Sequence, residues 1–181
     1  MPWNIFPTKR PTFSKATLDM LILFLLILLF YGRPYLEFYR TSYGGDSLSL
    51  FVPAAYHYAH ALYEGRIPLW DSYNWLGSPF LASFQSAVLY PPRLIELAMP
   101  TPWAGINVSI FLSLLWLTWG AYFFGLRALE LEQSPALLMG IGMGCCGFVG
   151  GHTDHVNQLA AISWIPWVIT EALLVVRRHP L

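Results

Sequence analysis

Hydrophobic and polar positions fall into long blocks along this chain. Met20 to Tyr31 is an unbroken apolar run, MLILFLLILLFY, extended by Ala16 to Asp19 before it and reaching Tyr35 after it. Leu97 to Leu126 holds 30 consecutive residues without Asp, Glu, Lys or Arg, and Gln133 to Thr153 holds 21 more. Leu159 to Val176 carries a single charge, Glu171. A helix needs roughly 20 residues to cross a hydrocarbon core of about 30 Å. The blocks therefore predict an all-α integral membrane fold with about four transmembrane helices, at roughly 16–35, 105–126, 134–150 and 158–176. Lys9, Arg10 and Lys15 precede the first block in the order of a secretory signal, but no alanine follows Tyr31 until Ala54. An A-x-A-like cleavage site has nowhere to sit, so the expectation is an uncleaved anchor.

Positions 36–104 form a large first outer loop with eight charged residues and seven of the 14 prolines. Within it, Leu48, Phe51, Val52, Ala55, Tyr56, Ala59, Leu62 and Tyr63 recur at helical spacing, with Pro53 kinking or beginning the helix and Gly65 as its stop. Tyr58 and Ala61 fall on the opposite face, which makes the helix only weakly amphipathic. Pro68, Gly77 and Pro79 forbid a continuous helix after it, and Trp70 and Trp75 suit the headgroup layer. A second short helical stretch is expected from about Leu81 to Tyr90, and a third opened by Pro91-Pro92. The loop should be ordered and lie at the membrane surface as interfacial helices.

Composition narrows the class. Of 181 residues, 56% are hydrophobic, 17% aromatic and 11% charged, where a soluble domain has about 25% charged residues. Mean hydropathy is +0.49, and the ten basic residues balance ten acidic ones. This excludes disorder and, without a basic run, argues against nucleic-acid binding. Two cysteines exclude a disulfide-stapled scaffold. With the N-terminus in the cytoplasm, Lys9, Arg10, Lys15, Arg127, Arg177 and Arg178 lie inside and the short 151–157 loop outside holds no basic residue. The expected topology is N-in, C-in. The stop three residues after Arg178 leads to the expectation that 1–181 is a single membrane domain and a fragment of a larger protein.

The charges that remain outside form a short list of candidates. Asp46 follows Gly44-Gly45 and precedes a helix. Its carboxylate can cap the first amides, a contribution of about 1 kcal/mol, or take a proton from an acceptor hydroxyl. Gly150-Gly-His152-Thr-Asp154-His155 places two imidazoles and a carboxylate within four residues. That group suits a phosphate or a divalent metal, although it lacks any specific zinc spacing, and it equally suits polar residues ending two helices. His57 and His60, one turn apart, are a weaker pair. Arg40, Arg66 and Arg93 are outer cations suited to phosphate, or to lipid headgroups. Gly140/Gly144 and Gly147/Gly151 read as small-xxx-small packing, with Cys145 and Cys146 buried and inert. Asp19 and Glu171 are placed near cytoplasmic span ends, where they reach water.

The order of these features resembles the N-terminal part of the YfhO-like bacterial membrane proteins. The resemblance rests on Gly44-Gly45-Asp46, G-R-I-P-L-W-D at Gly65 to Asp71, G-S-P at Gly77 to Pro79, Gln85, and Tyr90-Pro91-Pro92. It also rests on G-F-V-G-G-H at Gly147 to His152 and W-I-P-W at Trp164 to Trp167. It implies a glycosyltransferase of the GT-C type in the bacterial cytoplasmic membrane, moving a sugar from a polyprenyl-phosphate donor to a cell-envelope acceptor on the outer face. It implies that Asp46 is the catalytic base and that His152 and Asp154 lie near donor phosphate or a metal. Such enzymes have many more spans, so the 181 residues alone are expected to be inactive. The alternative is a small, non-catalytic membrane scaffold whose outer loop binds envelope components. The partners expected on either reading are membrane lipid and envelope molecules, with no nucleic acid.

Overall fold

The computed structural model describes residues 13–36, 45–74 and 76–178. Its elements are α1 (Phe13–Leu36), a π-helical turn (Ser47–Phe51), α2 (Val52–Tyr63), a 3₁₀ helix (Pro91–Ala98), α3 (Pro102–Arg127), α4 (Gln133–Gly144), α5 (Gly147–Gly151) and α6 (Val156–Arg178). No strand occurs among the described residues; one isolated bridge joins Asp71 to Ser78. Four helical segments are long and apolar enough to cross a membrane: Lys15–Gly32, Pro102–Arg127, Gln133–Gly151 and Val156–Arg178. The four expected spans are therefore present. The third is broken at Cys145-Cys146, which the sequence pattern did not anticipate. The chain divides into two compact units, one of 1–30, 113–150 and 161–181, the other of 31–112 and 151–160.

In the first unit many apolar side chains face outward, and polar ones such as Thr118, Ser163 and Thr170 share the interior with Leu23, Ile27 and Leu117. Among the described side chains of α1, Leu23 and Ile27, one turn apart, are fully buried, whereas Leu21, Leu25 and Leu29 are exposed. On α6 the buried positions include Ser163 and Thr170, while Ile165, Val168 and Ile169 face out. Lipid tails are as apolar as leucine, so helices in a bilayer associate through small residues and internal hydrogen bonds rather than by hiding hydrocarbon. Buried Thr170 satisfies its hydroxyl within α6, donating to the Pro166 carbonyl one turn back at 2.6 Å. Trp167, stacked on Trp116 with centroids 4.3 Å apart, donates from its indole to the Trp116 carbonyl.

Helix α3 is the most buried of the four apolar segments, with half of its span buried. Leu23, Tyr122 and Ala136 form a cluster with Trp119, Phe123, Leu137 and Ile141 packed around it. Gly140 and Gly144 lie against α1 and α3, as the small-residue spacing predicts: a Cβ on Gly140 would lie 3.1 Å from the Thr118 carbonyl, and one on Gly144 would overlap Thr118 Oγ1. The Gly147/Gly151 pair does not behave this way. Both are exposed, with nothing within 4 Å of a Cβ. Cys145 and Cys146 are half-buried at the helix break rather than sealed inside a continuous span.

Asp19 also departs from expectation. It is buried and accepts hydrogen bonds from the Tyr122 hydroxyl at 2.8 Å and the Gln133 amide at 2.5 Å. A carboxylate inside a bundle needs such donors because it has left water. Glu171 is exposed as expected, 4.0 Å from Arg127.

The second unit holds the expected loop helix. The π turn precedes Pro53, which begins α2 rather than kinking it, since a missing amide costs nothing in a first turn. Gly65 ends the helix at φ +71°, a left-handed conformation suited to glycine. The buried face is rotated from the expected one. Phe51, Ala54, Ala55, Tyr58 and Ala61 are inside, and Leu48, Tyr56 and Tyr63 are exposed. The choice between two apolar faces is made by Tyr58, which packs with Ala54 and Phe80 beneath the Arg93 guanidinium, 4.7 Å from the ring centre. Arg93 is buried and donates to Glu96, which also accepts from Ser109. Burial holds the Glu96 carboxyl above its ordinary value, against the opposing pull of Arg93.

The Leu81–Tyr90 helix does not form. Instead, separate turns close through Ser83 to Phe80, Ser86 to Ser83 and Tyr90 to Ala87, and Ala87 sits at φ +47°. Serine hydroxyls compete here for the backbone: Ser86 Oγ donates to the Ser83 carbonyl at 2.7 Å. Pro91-Pro92 opens a helix as expected, of the 3₁₀ type.

Candidate functional site

Three residues before α2 meet the turn between α5 and α6. Gly45, at φ +64°, lets the chain pass Asp154 closely, since a Cβ there would lie 3.2 Å from Asp154 Oδ2. Ser47 is buried and its hydroxyl donates to the Asp154 carbonyl at 2.9 Å, across 107 residues of sequence. The turn closes on itself through the His155 amide and the His152 carbonyl, and Thr153 is buried beneath it. These anchors are made by backbone and by small side chains, which leaves the ionisable groups free to face one another.

Asp46 occupies the cap position of the π turn, yet its side chain makes no capping bond, and its backbone is already helical at φ −65° and ψ −30°. A capping carboxylate needs an extended backbone to reach the first amides. The carboxylate instead lies half-exposed, with Oδ2 3.6 Å from His155 Nε2. His155 Nδ1 is 2.6 Å from Asp154 Oδ1. One imidazole therefore lies between two carboxylates. A neutral ring carries a proton on only one nitrogen, so Asp154 accepting from Nδ1–H leaves Nε2 facing Asp46 as an acceptor. His152 is alongside, its ring centre 5.7 Å from that of His155.

The structure thus brings Asp46, His152, Asp154 and His155 together. It does not bring Arg66 to them: that guanidinium pairs with Glu64 next to it in the sequence, and Glu64 is held below its ordinary carboxyl value by the hydrogen bond. Arg93 is likewise removed from the list of phosphate ligands, because it is buried against Glu96 and Tyr58. Arg40 lies outside the described residues. His57 stands edge-on to Phe80 and Tyr73, and His60 lies 3.6 Å from Glu64, so the two do not act as a pair. Among the described residues no group of three or more His, Cys, Asp and Glu side chains is arranged to hold a metal ion. His155 illustrates why, since both of its nitrogens already face carboxylate oxygens.

Sequence reasoning passed over Ser47, whose only signal was its place directly after Gly-Gly-Asp. It also treated G-R-I-P-L-W-D and G-S-P as separate motifs. They are one structure: Asp71 and Ser78 exchange both backbone hydrogen bonds at 2.8 Å.

The fold and this cluster define an all-helical chain with four helices fit to cross a membrane and a cluster of acidic and imidazole side chains. Compared with known proteins, the chain matches no family model, and no curated protein or solved structure is significantly similar to it.

Proposed function

We propose that this chain is the N-terminal part of a GT-C-type membrane glycosyltransferase that moves a sugar from a polyprenyl phosphate to a cell-envelope acceptor. The observation that supports this most is the Asp46 carboxylate, released from capping, half-exposed, and backed by an imidazole that Asp154 holds in place. In the reaction the acceptor hydroxyl attacks the anomeric carbon as the bond from that carbon to phosphate breaks. The hydroxyl proton goes to Asp46, and the polyprenyl phosphate leaves with the bonding electrons. His155 positions Asp46. His152 and His155 are the candidate donors to the leaving phosphate, with Arg40 secondary.

The reading also places the protein in the bacterial cytoplasmic membrane with its N-terminus inside and the 36–104 loop outside. A polyprenyl donor keeps its tail in lipid and its sugar phosphate at the interface, so the acid–base groups belong beside span ends. Asp46 lies shortly after α1, and His155 directly before α6.

Membranes from cells producing the full-length protein of which this chain is proposed to be the N-terminal part, supplied with labelled polyprenyl-phosphate sugars, test the proposal. Asp46→Asn is expected to abolish transfer and His155→Gln to reduce it by about 10²–10⁴-fold, the range of general acid–base contributions. Both variants should insert in the membrane like the parent. Transfer retained in full by Asp46→Asn refutes the assignment, and a parent without transfer to any acceptor favours the scaffold alternative.

A further inference from the structure

From Ile67 to Tyr90 the chain has 24 residues and one charge, Asp71. A segment exposed to water places its carboxylate outside and its hydrocarbon inside. Here the arrangement is reversed. Asp71 is 3% exposed and accepts from the Tyr73 amide at 2.8 Å and the Asn74 side-chain amide at 2.5 Å, while its own backbone pairs with Ser78. In the same segment Tyr73, Leu76, Phe84 and Leu89 are each at least 81% exposed, with Trp70 half-exposed.

Leu76 carries a second, independent mark. It sits at φ +61°, a conformation that crowds a side chain with a Cβ against its own backbone. Its side chain is fully exposed and gains no packing within the chain to offset that crowding. Strain of this kind persists where something outside the chain rewards it.

We propose that the 67–90 segment is a lipid-contact surface, with Tyr73, Leu76, Phe84 and Leu89 seated in the headgroup and acyl boundary and Trp70 at the headgroup level. Lipid is the occupant favoured by continuity. The segment leads through the Pro91–Ala98 helix directly to α3, itself apolar enough to span a bilayer, so it is tethered within about a dozen residues of one. Its chemistry agrees: tryptophan and tyrosine suit the membrane–water boundary, and the absence of outward charge offers nothing for a charged protein partner to read. The proposal is independent of sugar transfer.

Spin labels test it in the intact protein, reconstituted at low density in vesicles of phosphatidylcholine and phosphatidylglycerol, with Cys145→Ser and Cys146→Ser as background. Labels are placed singly at Leu76→Cys, Phe84→Cys and, as a solvent reference, Glu64→Cys. The ratio of collisions with oxygen to collisions with a water-soluble nickel chelate is expected to be severalfold higher at 76 and 84 than at 64. Equal ratios at all three positions overturn the proposal in favour of a water-exposed loop. Labels at 76 and 84 that neither reagent reaches overturn it as well, in favour of a protein neighbour, a second copy included.

Discussion

Three glycines in α4, at 140, 142 and 144, allow the packing of that helix to be tested by one chemical change, addition of a methyl group. A Cβ on Gly142 meets nothing within 4 Å. Its replacement by alanine removes backbone freedom from the unfolded chain and should stabilise the protein by about 0.5–1 kcal/mol. At Gly140 the new methyl lies 3.2 and 3.3 Å from the two Leu23 methyls and 3.1 Å from the Thr118 carbonyl. The leucine can turn away but the carbonyl cannot, so the helix gain is largely cancelled. At Gly144 the methyl overlaps Thr118 Oγ1 and lies 2.9 Å from Ile27 Cδ1. Thr118 cannot rotate without giving up its 2.7 Å bond to the Leu114 carbonyl. Overpacking of this kind costs about 1–3 kcal/mol. The assay is reversible unfolding in mixed micelles titrated with sodium dodecyl sulfate. The expected order of stability is Gly142→Ala, then Gly140→Ala, then Gly144→Ala. Removing the obstructing hydroxyl with Thr118→Ala should recover most of the Gly144→Ala loss, an interaction of about 1–2 kcal/mol between neighbours. If Gly144→Ala is as stable as Gly142→Ala, or if Thr118→Ala fails to rescue it, α4 does not pack on α3 through this face.

Two further outcomes follow from buried polar groups. Tyr122→Phe keeps the ring and deletes the donor to Asp19; hydrogen bonds to charged groups contribute about 1.5–3 kcal/mol, so a change below about 0.5 kcal/mol in the same titration would refute the bond. The Glu96 carboxyl is held above 4.5, first by burial, so the folded state binds its proton more tightly than the unfolded chain. Its contribution to stability is present below pH 4.5 and is lost as pH rises through the folded value. Thermal melting in detergent from pH 4 to 8 should show that decline in the parent and a flatter profile in Glu96→Gln, whose stability falls below the parent's at the upper end of the range, where buried Arg93 loses its counter-charge.

The spans were legible because lipid demands an uninterrupted apolar block, and nothing else in the sequence resembles one. What escaped was any feature set by a partner distant in sequence. Helix α2 is apolar on two faces, and only Arg93, 35 residues beyond Tyr58, decides which is inside. Asp19 read as a residue reaching water because its donors, Tyr122 and Gln133, carry no pattern of their own. The 81–90 stretch has helical spacing but two serines, both at turn positions, and the local hydroxyl bond at Ser86 favoured turns. At the candidate site, Asp46 and the 152–155 group were readable as polar residues beside span ends. Their contact through His155 was not, since no periodicity links positions more than a hundred residues apart.

The Asp19 contact sets a schedule for synthesis. Its donors lie 103 and 114 residues downstream, on helices that leave the ribosome much later. At 5–20 residues per second the wait is roughly 5–20 s. During that interval α1 resides at the translocon or in lipid with a carboxylate that has no bonding partner from α3 or α4. The first helix is thus delivered incomplete, and the arrival of α3 and then α4 completes it, which makes the order of translation part of how this bundle is assembled.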